Sequence, residues 1–186
     1  MSIKILTPAT PIHVLDGAAW ATFTAFQNIS PEPQIIIPQQ TLEAGLEIEL
    51  IAWGEHSSTG TPNLQIGFWF NGAVAPAVPT SVFGLSGVVA VAGIASAPWM
   101  AKYHGRLRVA QPNNAASWNG QGSAKIAAQL AGPFSVVPMP ITLALRTVTA
   151  DVSAARAIGV GAAWSASSAS NSVKVNGLSA RLVTGY

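Results

Sequence analysis

The side chains able to do chemistry in this 186-residue chain are few and scattered. Glu47 and Glu49 stand two apart in LEIELIAW, so a strand would put both carboxylates on one face, about 7 Å apart. That spacing suits a pair of carboxylates working on a glycosidic bond. The plainer role, glutamates solvating an outward strand face, is the expected one. Glu55 and His56 open a polar tip and, with His104, offer atoms to a metal. A built site needs three or four converging, supported ligands, and the spacing of His13, His56 and His104 gathers none. There is no Gly-x-Ser-x-Gly after a strand and no phosphate-cradling glycine loop. The chain has no cysteine, which removes disulfides, thiolate zinc sites and thiol nucleophiles together. No catalytic residue, metal ligand or cofactor is expected, and the chain does not read as an enzyme.

Binding features are stronger. In WMAKYHGRLRVA, Lys102, His104, Arg106 and Arg108 alternate with Tyr103, Gly105, Leu107 and Val109, giving a basic stripe on one strand face. Without interleaved aromatics on that face, nucleic acid is not the expected partner; the stripe either binds an acidic protein surface or is a solvated, cross-strand paired face. Trp53, Trp69, Trp118 and Trp164 fall near strand ends and tips, where tryptophan serves subunit contacts or sugar binding. Trp69, opposite the Phe68/Phe70 face, is expected at a subunit contact. The interface candidates are Trp20, Phe23, Phe26, Glu47, Glu49, Trp69, Lys102, Arg106 and Arg108.

Composition points the same way. Charged residues are 9% of the chain, against about 25% in ordinary soluble domains. So little charge suits a protein that covers much of its surface with partners. The charge is also divided: residues 1–101 hold six acids and only Lys4 as a base, while residues 102–186 hold eight bases and only Asp151 as an acid. Either subunits meet through complementary surfaces, or strands from the two parts lie side by side and pair charges within one sheet. Residues 82–101 carry no charge, but Gly, Ser and Pro break them into strands and turns, so no membrane span is expected. MSIKILTPATP has no uninterrupted apolar run, so no secretory signal is expected.

The elements that must position these residues are strands. Leu46, Ile48, Leu50 and Ala52 alternate with Glu47, Glu49, Ile51 and Trp53, and Leu64, Ile66, Phe68 and Phe70 alternate with Gln65, Gly67, Trp69 and Asn71. With EHSSTGTPN between them, residues 46–72 predict a long antiparallel hairpin. Residues 99–110 and 123–130 predict a second, with Trp118 in its loop. Pro133, Pro138 and Pro140 mark a turn, and TADVSAAR a loop. Residues 157–165 and 172–183 form a last pair, with Gly177 allowing a bulge. Val88 to Ile94 predicts a small-residue strand. No helical period is sustained anywhere. The fold expected is all-β, a jelly-roll-like antiparallel β-sandwich over residues 34–186, preceded by an extended, Pro-marked N-terminal arm, residues 1–33.

Two pieces together resemble a family: IIIPQQTLEAGLEIELIAWGEHSSTGTPNLQIGFWFNG (35–72) and AIGVGAAWSASSASNSVKVNGLSARLV (157–183). The apolar-Pro-x-x-Thr-Leu turn, the strand ending in Trp-Gly, the Thr-Pro tip and the Ser-Ala-Ser-Asn-Ser tip are similar to jelly-roll structural proteins of tailed bacteriophage virions. The two tips also resemble each other, as polar hairpin tips do. The resemblance implies a non-enzymatic virion protein, whether capsid decoration protein, head fibre or minor tail protein, and the capsid surface is the expected place. Expected is a capsid decoration protein that forms a homotrimer and contacts the major capsid protein or another virion protein. A tail-associated receptor- or glycan-binding module is the alternative.

Overall fold

A computed structural model describes residues 2–6, 13–16, 27–29, 35–37, 46–71, 82–107, 115–129, 132–140, 147–151, 156–166 and 168–184. In chain order the strands are β1 (Ser2–Leu6), β2 (His13–Asp16), β3 (Gln27–Asn28), β4 (Ile35–Ile37), β5 (Glu47–Ser58), β6 (Asn63–Asn71) and β7 (Val82–Phe83). They continue as β8 (Val89–Ala90), β9 (Ile94–Leu107), β10 (Ala115–Ala127), β11 (Phe134–Met139), β12 (Thr147–Asp151), β13 (Arg156–Trp164) and β14 (Ser172–Thr184). No helix occurs among the described residues, and none is long and apolar enough to cross a membrane.

The strands form two antiparallel sheets. In sheet A, β1 and β2 lie in line along β14, followed by β5, β9 and β10, with β11 and β12 sharing the far edge. In sheet B, β3 and β4 flank β13, which pairs with β6, and β7 and β8 line the far side of β6. The sheets stack as a jelly-roll-like β-sandwich. The described parts of the arm thus pair with β13 and β14 of their own chain.

The core lies where the alternation puts it. Leu46, Ile48, Leu50 and Ala52 are buried facing Leu64, Ile66, Phe68 and Phe70, and Ile158, Val160, Ala162 and Trp164 join them. Burial of about 1.5–3 kcal/mol for each large apolar side chain drives the two inner faces together. On β14, Val173 and Val175 point inward, the register slips between Val175 and Gly177, and Leu178, Ala180 and Leu182 then point inward. Gly177 sits at a bulge that restores the phase, as expected.

The pairing differs from the sequence reading in one large respect. Residues 46–72 are not a hairpin: β5 pairs with β14 and β9 in sheet A, and β6 with β13 in sheet B. Residues 157–183 behave likewise, since β13 and β14 also lie in opposite sheets. Each polar tip carries the chain across the end of the sandwich. The two crossings brace one another. The Asn63 amide donates to Ser165 Oγ at 2.8 Å, the Ser165 amide to the Asn63 carbonyl at 2.9 Å, and the Thr59 amide to Asn171 Oδ1 at 3.1 Å. Alternation tells which side of a strand faces the core, and that side is the same in a hairpin and in a crossover.

Smaller corrections have local causes. β10 begins at Ala115 and pairs Trp118 with Leu107, so Trp118 is in a strand and not a loop. The Pro-marked turn holds β11, an edge strand, where Pro138 needs no partner for its missing N–H. TADVSAAR begins inside β12, and the strand expected from Val88 to Ile94 is only Val89–Ala90.

Candidate functional site

The two outer faces of the sandwich are unlike. The outer face of sheet B is covered. Trp69, Ala157 and Ala163 form a second apolar cluster there, with Val82 and Leu85 packed against it, and the Trp69 indole N–H donates to the Val160 carbonyl at 3.2 Å. Trp69 has no exposed surface. It was expected at a subunit contact, but its own chain covers it. The signal for this was present in β13, where AIGVGAAW has no polar residue at either parity, the mark of a strand buried on both faces.

The outer face of sheet A is open. Among residues whose side chains are described, every acid and base except Arg156 lies on it: Glu47, Glu49 and Glu55 on β5, Lys102 and Arg106 on β9, Lys125 on β10, and Lys174 and Arg181 on β14. Four interface candidates, Glu47, Glu49, Lys102 and Arg106, are therefore brought together. Trp20, Phe23, Phe26 and Arg108 lie outside the described residues.

Register explains the divided charge. β5, from the acidic part, runs between β9 and β14 from the basic part. Glu47 Oε2 approaches His104 Nε2 at 3.4 Å, and Glu49 Oε2 approaches Arg181 Nη1 at 3.7 Å. The two parts of the chain thus lie side by side in one sheet, and two pairs of their ionisable groups meet across strands. These pairs are solvent-exposed and contribute about 0.2–1 kcal/mol each at most.

Beside most of the charges runs a row that is apolar but for Lys125. Trp53, Met100, Lys125 and Val136 are level across β5, β9, β10 and β11. Trp53 is 43% exposed, Phe134 50% and Val136 60%. The Trp53 indole lies over Gly177, where any Cβ would strike the ring, so the bulge glycine is what lets this side chain lie flat on β14. Trp53 is the exposed member of the four tryptophans whose side chains are described; Trp69, Trp99 and Trp164 are buried.

The possible metal group does not assemble. His104 is level with Glu49 on the outer face, whereas His56 is level with Ala97 and points into the core. Among the described residues no three His, Cys, Asp or Glu side chains are placed to hold a metal. A depression of about 500 Å³ at the crossing end is lined by the hydroxyl residues Ser57, Ser58, Thr59 and Ser170 and by Gly60, Gly93, Ile94 and Ala95, with no acid or base among them.

His56 has a structural role. Its Nε2–H donates to the Ala127 carbonyl at 2.9 Å, and its ring meets Trp164 edge-on, centroids 6.3 Å apart. Burial lowers its pKa below the ordinary 6.5, and the bond to Ala127 opposes this more weakly. Above pH 6.5 the ring is neutral folded or unfolded; below it, the unfolded chain takes up a proton that the folded chain resists, so stability falls as pH drops. Urea midpoints at pH 7.5 and 5.5 should show a smaller acid loss in His56→Gln, which keeps a donor for Ala127, than in wild type.

Fold and face together define a class: an all-β, jelly-roll-like sandwich with one covered and one open sheet face. No protein-family model and no curated protein matches the sequence. Among solved structures, the chain is similar to arcelin-5, a lectin-like defense protein from Phaseolus vulgaris, at 6% identity and TM-score 0.44, over all of both chains. Structures of infectious bursal disease virus, Gt and Gx strains, are similar at 11% identity, with TM-scores of 0.30 and 0.31. They match over 99% and 100% of this chain but 33% and 34% of the viral chains, so this chain spans about a third of their length. These similarities concern fold and carry no argument about function.

Proposed function

We propose that this is a non-enzymatic virion structural protein, a capsid decoration protein that assembles as a trimer on a phage head. The observation that carries the reading is the segregation of the surface. One sheet face is sealed by its own chain, while the other gathers nearly all the described charge beside exposed Trp53, Phe134 and Val136. A domain built this way meets its surroundings through one face. The low total charge and the likeness of residues 35–72 and 157–183 to phage virion proteins support the same reading. Strands β1, β2 and β3 tie residues 1–33 to their own sheets, and Trp20, Phe23 and Phe26, between β2 and β3 in the chain, act in this reading as anchors on a neighbouring chain or on the shell.

Burial of Trp69 and Trp164 takes two of the four tryptophans placed near strand ends and tips away from a glycan-binding reading, and leaves exposed Trp53 as the position where a sugar would stack. Light scattering should return a trimer, and deletion of residues 1–30 should abolish it. A stable monomer whose mass is indifferent to that deletion overturns the reading.

A further inference from the structure

The outer face of sheet A is, by its register, its own complement. Glu47 is level with Arg106 on the adjacent strand, Glu49 with His104, Ile51 with Lys102 and Trp53 with Met100. A two-fold axis parallel to the strands, above the face and midway between β5 and β9, lays β5 of one copy over β9 of the other at equal height. Glu47 then meets Arg106 of the second copy, twice by symmetry, and Trp53 meets Met100. The acidic strand of each copy covers the basic strand of the other.

The side chains involved have capacity to spare. Among the described residues neither Lys102 nor Arg106 has an ion pair within its own chain. Glu47 and Glu49, though each paired once, keep 39% and 41% of their side-chain surface exposed. Two-fold contacts are those in which one patch meets itself. Stacked sheets lie about 10 Å apart, within reach of an opposed Glu and Arg. A polyanion fits less well, because the glutamates of β5 run between the basic strands β9 and β14.

We propose that two copies of the chain pack face to face through the outer faces of their larger sheets, about a two-fold axis parallel to β5 and β9. The contact takes the open face on which the reading above rests and leaves the anchors within residues 1–33 to hold the trimer; if both form, it joins two trimers.

Sedimentation of the purified full chain at low salt tests it with two charge reversals, Glu47→Arg and Arg106→Glu. Wild type should show a doubled species, a dimer or a hexamer. Each variant alone should lose the doubling while keeping the wild-type circular dichroism, because like charges now meet across the axis. An equimolar mixture should restore it, since an all-basic copy then faces an all-acidic one. A defect inside one chain would not be cured by mixing. Wild type without a doubled species overturns the proposal, and so does doubling that survives in either variant alone or a mixture that stays undoubled. A wild-type trimer without a hexamer removes this contact and leaves the decoration reading standing; a dimer without a trimer does the reverse.

Discussion

Replacing Trp164 with alanine should cost about 3–5 kcal/mol, the range for emptying a fully buried tryptophan site. Trp164 ends β13 on the inner face, level with Leu64, and is fully buried. Its ring meets His56 from the opposite sheet, so the cavity would open between the two layers. The bonded crossings at that end, Asn63 with Ser165 and Thr59 with Asn171, hold the sheets apart and limit collapse into the space. The Trp164 indole N–H has no hydrogen-bond partner among the described residues, so the loss is one of packing. Trp164→Phe should therefore cost less than half as much, having no bond to break and most of the volume kept. Urea unfolding of both variants decides this. A loss below about 1.5 kcal/mol for Trp164→Ala would show that the site is not tightly packed.

Gly54→Ala should be nearly as damaging, at about 3 kcal/mol, the upper end for overpacking. Gly54 is inward on β5, and an added Cβ would run into the Lys174 carbonyl oxygen on β14 and come within 3.0 Å of Trp99 Cζ2. The first obstacle is backbone and cannot swing away. β5 and β14 would have to part where the Trp99 indole N–H donates to both the Glu55 and Lys174 carbonyls, at 3.2 Å each. Gly93 is the control, because a Cβ there meets only ordinary contacts of 3.7 Å or more at an unremarkable φ. Gly93→Ala should be neutral or stabilising by up to about 1 kcal/mol, through the unfolded chain. If Gly54→Ala also melts within about 0.5 kcal/mol of wild type, the strands are not packed as closely as described.

Nothing in the alternation of Leu46–Ala52 and Leu64–Phe70 distinguishes a hairpin from a crossover, and that is why pairing was misread while the inner-face residues were not. The likeness between the tips at residues 54–63 and 165–171 did contain a clue, since both make the same crossing and bond to each other. Of the interface candidates, the outward placement of Glu47, Glu49, Lys102 and Arg106 was legible because charge at alternate positions on a strand must face out. Trp69 was not, because its burial comes from residues far along the chain, among them Val82, Ala157 and Ala163.

By itself the sequence determined the strand class, the inward residues and the Gly177 bulge, all of which follow from side-chain periodicity. Only the tertiary structure decided which strands are neighbours and which sheet face stays open. Both depend on contacts between residues remote in the chain, and those fold the acidic β5 between the basic β9 and β14.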